Sequence, residues 1–157
     1  MRGVVLISGH LCTGKSELAE ALHTEFGYFV IKSSSILKEL AVKEEHPTDR
    51  IALQRLGDEM DARTGGKWLY DEVMKIAEGD GVGERVVVDN VRTQEQMEHF
   101  RASSEIAAIH VHLYVHDKDA LDQRWRERER IRGITVVNAY PDADLVKDEE
   151  DIQHVLL

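Results

Sequence analysis

The sequence predicts an α/β fold of three layers, a parallel sheet with helices on both faces, and three observations predict it. Apolar β-rich runs alternate with helix-forming stretches, the pattern that closes into a parallel sheet through crossover helices. The first such run, Val4-Val5-Leu6-Ile7, leads straight into the glycine-bearing stretch Gly9-His10-Leu11-Cys12-Thr13-Gly14-Lys15-Ser16 and then into Glu17-Leu18-Ala19-Glu20-Ala21-Leu22, which reads as a helix. A chain of 157 residues can bury one sizeable core, and with two prolines and no Gly/Ser-rich tract it offers no linker. One domain over residues 1–157 is therefore expected.

Taken in order, the strands are expected at 3–8, 28–32, 85–89, 107–115 and 144–147, five in all. The first helix starts at Gly14 or Lys15 and stops near Phe26, where Gly27 is a natural C-terminal signal. Helices follow over 35–44 and 49–63, and Gly65-Gly66 breaks the chain before another over 68–78. Two more, 94–102 and 118–132, each follow a strand, and 149–157 forms a short closing helix whose acidic start, Asp148 to Asp151, suits the positive end of the helix dipole. The result is a βαβ core with an all-helical insertion between its second and third strands.

Composition excludes several function classes. The formal net charge of −10 argues against a general nucleic-acid binder, which needs a basic face against the phosphate backbone. No stretch approaches the ~18 apolar residues that span a bilayer, and the apolar run after Met1-Arg2-Gly3 is too short for a signal peptide. The cytoplasm is the expected location, with no membrane and no polymer as partner. The single cysteine, Cys12, cannot form an internal disulfide, which is consistent with a reducing compartment. Nothing in the sequence sets the oligomeric state.

Gly9-x4-Gly14-Lys15-Ser16 matches the phosphate-binding pattern G-x-x-x-x-G-K-[ST] in full. The glycines allow successive N–H groups to converge on phosphate oxygens, Lys15 supplies charge, and the Ser16 hydroxyl can ligate magnesium. The helix that follows adds the positive end of its dipole. Cys12 and Thr13 complete the loop, and Cys12 is either filler or a thiol beside bound phosphate. Further on, Val86-Val87-Val88 runs into Asp89, the strand-then-acid pattern that puts a carboxylate beside such a loop to hold the metal. Asp89 as a turn residue or helix cap is the structural alternative. Arg92 lies three residues on, where its fork of donors can grip a phosphate or form a surface ion pair.

With these motifs in hand, the sequence resembles the nucleoside monophosphate kinase-like group of P-loop kinases, and most nearly its phage-type deoxynucleoside monophosphate kinases. Three stretches carry the resemblance: Gly9 to Leu22, Arg50 to Trp68, and Val86 to Phe100. The segment from Ala143 to Leu157 also looks like the last strand, loop and helix of the group, which borders the adenine. The resemblance implies a five-stranded parallel sheet, an acceptor-binding helical insertion over about 33–80, and an arginine-bearing lid over about 118–135. It further implies transfer of the γ-phosphoryl of Mg-ATP to a (deoxy)nucleoside monophosphate, a small-molecule nucleotide acceptor. Lys15, Asp89 and Arg128 would be catalytic, with Ser16 and Asp89 on Mg2+. Gly9, Cys12, Thr13, Gly14, Lys15, Ser16 and Arg124 would hold ATP. Arg50, Gln54, Arg63, Trp68 and Arg92 would hold the acceptor, although solvated faces for the arginines and core packing for Trp68 are the competing readings.

The lid is read from Asp122 to Gly133, where Arg124, Arg128 and Arg132 share one helical face while Arg126 and Arg130 share another. A solvated, salt-bridged helix has the same pattern, since Asp122 and Arg126 form a favourable i,i+4 pair. His110, His112 and His116 alternate as on one strand face; with no cysteine or carboxylate at ligand spacing, they read as a polar sheet face under helices rather than a metal site. Two other functions stay open. One is a kinase of an alcohol acceptor, a nucleoside or dephospho-coenzyme A. The other is a non-catalytic nucleotide-binding regulatory module, for which a guanine-reading N-K-x-D segment would speak; none occurs.

Overall fold

The computed structural model describes residues 1–132. Its elements run β1 (Arg2–Gly9), α1 (Lys15–Phe26), β2 (Phe29–Lys32), α2 (Ser33–Lys43), α3 (Arg50–Thr64), α4 (Lys67–Ala77), β3 (Arg85–Asp89), α5 (Gln94–Ala102), β4 (Ile106–Leu113) and α6 (Lys118–Ile131). Among the described residues the sheet has four strands, ordered β2-β3-β1-β4 and parallel at each pairing. The fifth strand expected at 144–147 and the closing helix at 149–157 lie outside the described residues.

The central strands β1 and β3 are buried on both faces, which is why they read as nearly unbroken apolar runs, whereas the edge strands β2 and β4 leave Phe29 and Ile109 exposed. On one face Val5, Ile7 and Val87 pack beneath Ala19, Leu18 and Leu22 of α1. On the other, Val4, Leu6, Val86 and Val88 join the larger core made with Ile36, Leu37, Leu69, Val73, Met97 and Phe100, side chains of α2, α4 and α5. Alternate residues of each strand thus enter two separate cores, giving the expected three layers. Leu6, Ile7, Val86, Val87 and Val88 are all fully buried. None of the described helices is long and apolar enough to cross a membrane.

Helices α2, α3 and α4 are the insertion between β2 and β3. Asp49 starts α3 by accepting hydrogen bonds from the N–H groups of Ile51 and Ala52, both at 3.1 Å. Register then locates the chemistry: Ile7 of β1 pairs with Asp89 of β3, and Lys32 of β2 pairs with Asp89 from the other side. The carboxyl ends of three neighbouring strands therefore meet where β1 turns into the glycine-bearing loop. In open α/β sheets this edge is where ligands bind.

Candidate active site

The loop from Gly9 to Gly14 leaves β1 and enters α1 through backbone conformations that side chains disfavour. Gly9 has φ +140°, and a Cβ there would stand 2.3 Å from the backbone oxygen of Leu113. Gly14, with φ 97°, occupies the N-cap of α1 and supplies no side chain to cap it. The first N–H groups of the helix therefore receive no hydrogen bond from a capping side chain, and N–H groups at a helix start are a ready site for an anion. Cys12 also adopts a positive φ, 64°, without being glycine. Thr13 steadies the turn by donating its hydroxyl to the carbonyl of His10 at 2.9 Å.

Lys15 folds back over this loop, its ammonium donating to the carbonyls of Gly9 at 2.6 Å and His10 at 2.5 Å. One residue on, the Ser16 hydroxyl donates to Asp89 Oδ2 at 3.3 Å, linking residues 73 apart in sequence. Asp89 is only 6% exposed. A hydroxyl and a buried carboxylate side by side form an all-oxygen donor pair, which fits magnesium and does not favour softer metals.

Helix α6 lies against the same loop. Leu121 and Trp125 are buried together with Leu11, Cys12 and Val115, and Arg124 donates to the carbonyl of Cys12 at 3.4 Å. The shared face predicted for Arg124, Arg128 and Arg132 is the face turned to the site. Arg126 and Arg130 instead form ion pairs along the helix with Asp122 and Glu127, at 2.5 and 2.6 Å.

Between α6, α2, α3 and the loop after β3 lies a cleft of about 460 Å³. Gly9 and Lys15 border it on the phosphate-loop side, Arg50 and Gln54 on α3, Arg92 after β3, and Arg128 on α6. Six of the residues expected in the site are thus brought to one cavity. Cys12, Thr13, Gly14, Ser16, Asp89 and Arg124 stand beside it on the loop, α1, β3 and α6 without lining it, and Arg63 and Trp68 do not line it either. Arg63 is exposed near the end of α3, its guanidinium against the sulfur of Met60. Trp68 is 4% exposed in the main core, and its indole N–H donates to Asp61 Oδ1 at 2.6 Å. Packing, the alternative open to it from the start, is the role it has here.

Several lining residues carried no distinguishing signal in the sequence: Ser33, Ser34, Thr48 and Asn90. Serines at the start of a helix read as ordinary N-terminal residues until the fold aims them at a cavity. Arg132 also lines the cleft, where it reaches Glu129 at 3.3 Å. A signal for it was present, because it continues the Arg124-Arg128 stripe.

The histidines resolve differently from a three-residue stripe. His110 Nε2 and His112 Nδ1 both lie 2.7 Å from Ser8 Oγ, whereas His116 falls beyond the end of β4 and packs edge-on against Tyr114 at 4.7 Å. Burial and the neighbouring His112 hold His110 below its usual pKa, with a smaller contribution from Arg101. No group of three metal-ligating side chains occurs among the described residues.

Comparison with known proteins bears on the family and the fold. The profile of the AAA_33 family, described as an AAA domain, matches residues 4–139. A candidate kinase from Chloroflexus aurantiacus J-10-fl shares the fold with a TM-score of 0.60 at 19% identity, over 96% of this chain and 76% of that one. A gluconokinase from Sinorhizobium meliloti 1021 superposes with a TM-score of 0.49 at 15% identity, over 96% and 74% of the two chains. No curated protein matches the sequence significantly. A phosphate loop, an acid on the adjacent strand and a family profile spanning both lead to one conclusion: the chain belongs to the AAA_33 family of AAA domains, with a P-loop kinase-like fold.

Proposed function

We propose that the protein transfers the γ-phosphoryl group of Mg-ATP to a small acceptor that already carries a phosphate, a (deoxy)nucleoside monophosphate. The observation that carries this reading is the chemistry of the cleft. Lys15, Arg50, Arg92, Arg128 and Arg132 line it and no aspartate or glutamate does so among the described residues, although Asp58 and Glu129 reach two of these cations, Arg92 and Arg132, from outside the lining. Such a cavity favours an anion. A phosphate monoester is largely dianionic near neutral pH and needs gripping rather than deprotonating. An alcohol acceptor, by contrast, is served by a base within hydrogen-bond reach of its hydroxyl.

In this reading the loop N–H groups and Lys15 hold the β- and γ-phosphates, Lys15 exchanging its two carbonyl contacts for phosphate oxygens. Ser16 and Asp89 would hold magnesium, which when bound neutralises charge on the transferring group. Arg50, Gln54 and Arg92 orient the acceptor phosphate for in-line attack. Arg128 lies across the cleft from the insertion, where its charge acts on the equatorial oxygens as negative charge redistributes. Arg124, fastened to the Cys12 carbonyl, keeps α6 on the loop. The protein's contribution is therefore position and charge, the two things phosphoryl transfer requires of it.

Coupled release of ADP, measured over deoxynucleoside and nucleoside monophosphates, the matching nucleosides and dephospho-coenzyme A, tests the proposal. Monophosphates should turn over and nucleosides should not. Robust phosphorylation of a nucleoside or of dephospho-coenzyme A, with no monophosphate accepted, reverses the assignment to alcohol chemistry.

A further inference from the structure

A chain of partly buried hydrogen bonds runs behind the acceptor side of the cleft. Gln96, in the first turn of α5, is 1% exposed, and both ends of its amide are engaged. Its Oε1 accepts from the backbone N–H of Arg92 at 2.9 Å, and its Nε2 donates to Asp61 Oδ1 at 2.8 Å. The same carboxylate oxygen receives the Trp68 indole N–H at 2.6 Å. One turn earlier on α3, Asp58 meets the Arg92 guanidinium at 3.3 Å. Arg92 is therefore tied to α3 twice, by its side chain directly and by its backbone through Gln96.

The surrounding backbone is pressed close enough to make this connection stiff. A Cβ at Gly57 would come within 3.3 Å of Arg92 Nη1, and a Cβ at Gly66 would stand 2.7 Å from the backbone nitrogen of Gln96. His99 adds a further tie from α5, its Nε2 lying 2.8 Å from the carbonyl of Gly65. Helix α3 also carries Arg50 and Gln54 into the cleft. The separation between those two side chains and Arg92 is thus set by groups that do not line the cavity.

We infer that Gln96 and Asp61 are positioning residues for the acceptor: their link, made at the buried Gln96 amide, fixes Arg92 relative to α3 and so sets the geometry of the acceptor grip. The inference rests on the proposed function for its kinetic consequence, but the link itself is a physical claim about one backbone amide. In Gln96→Ala the Arg92 N–H loses its acceptor. Its hydrogen exchange should accelerate about tenfold or more, as expected for removal of a buried partner, while the amides of Val87 and Val88 keep their protection. The KM for the acceptor should rise by a similar factor, with ATP affinity within about twofold of the parent.

Asp61→Asn keeps an oxygen for both donors at nearly the same size and should leave exchange and acceptor KM within about twofold of the parent. Asp61→Ala leaves Gln96 Oε1 opposite the Arg92 N–H but removes the anchor of its amide, so exchange at Arg92 and the acceptor KM should each rise by about threefold or more, and it replaces Gln96→Ala if that variant does not fold. Unchanged exchange at Arg92 in the alanine variants would overturn the link. Acceptor KM and ATP affinity weakening together would overturn the positioning role, because a general loss of structure moves both. If no monophosphate is phosphorylated by the parent protein, the proposed function fails, and the Arg92 exchange rates still decide whether the link exists.

Discussion

Replacing Gly9 by alanine should damage the protein far more than replacing Gly14, although both glycines belong to the same loop. At Gly14 an added methyl group meets nothing nearer than a carboxylate oxygen of Glu17 at 3.9 Å, so only the positive φ of 97° opposes it. That strain costs about 1–2 kcal/mol for an L-residue. At Gly9 the φ of +140° is still less favourable, and the Cβ would lie 2.3 Å from the Leu113 backbone oxygen, where β1 and β4 end their pairing. Relief requires the end of β4 to retreat by roughly 1 Å, so strain and lost packing together come to about 3–5 kcal/mol. Against a total stability of about 5–15 kcal/mol, this is a large fraction. At about 2–4 °C per kcal/mol for a chain of this size, Gly9→Ala should lower Tm by roughly 10 °C and Gly14→Ala by only a few degrees. Thermal melts of the parent and both variants, followed by circular dichroism, read the Tm difference, and urea titration reads the free energies behind it. Equal losses, or a greater loss at Gly14, would refute the argument that the Leu113 carbonyl closes the space above Gly9.

Other consequences follow from the same geometry. On the proposed function, Lys15→Ala should leave Tm within a few degrees of the parent while reducing phosphoryl transfer by about a hundredfold or more, because Lys15 contacts loop carbonyls rather than the core and would hold phosphate; turnover at the parent's rate would remove the cradle from the mechanism. Asp89→Asn keeps the shape beside Ser16 but removes a charge, so half-maximal activity should require about tenfold more magnesium, read from an activity titration; superimposable curves would take Asp89 out of the metal site. For His110, burial and His112 lower the folded-state pKa below the ordinary value. The unfolded chain then binds the proton more readily, so stability is lost as pH falls from about 6.5 toward the lowered value. His110→Asn should flatten that part of the stability curve in urea titrations at successive pH values, and an unaltered slope would assign the acid sensitivity to other groups.

Much of the fold was legible because its determinants are local. β3 and α5 coincide with the expected 85–89 and 94–102, and α1 begins at Lys15, one of the two starts the glycine pattern allows. The phosphate loop is likewise contiguous: eight residues contain the glycines, the lysine and the hydroxyl. The resemblance grouped Arg63 with Arg50 and Gln54, but helical periodicity divides them. Arg50 and Gln54 are four residues apart and share a face, whereas Arg63 lies thirteen residues from Arg50, roughly 220° around the helix and about 20 Å along it. The same spacing put Arg124, Arg128 and Arg132 on one face of α6.

Which face looks into the cleft was decided only by tertiary packing. A tryptophan after a helix break has the same local environment whether it stacks on a ligand or fills a core, and Trp68 fills the core because Asp61, seven residues earlier, receives its N–H. Gln96 resembled any polar residue of a first helical turn until α3 and α5 buried it between Arg92 and Asp61. The approach of Ser16 to Asp89 depends on β3 lying beside β1, between it and β2 in the sheet order. Capping, turn geometry and helical periodicity are preferences expressed between neighbours in the chain, so the sequence alone carries them. Strand order and the choice of buried face depend on which apolar surfaces find one another across many residues, and that is settled only when the whole core packs.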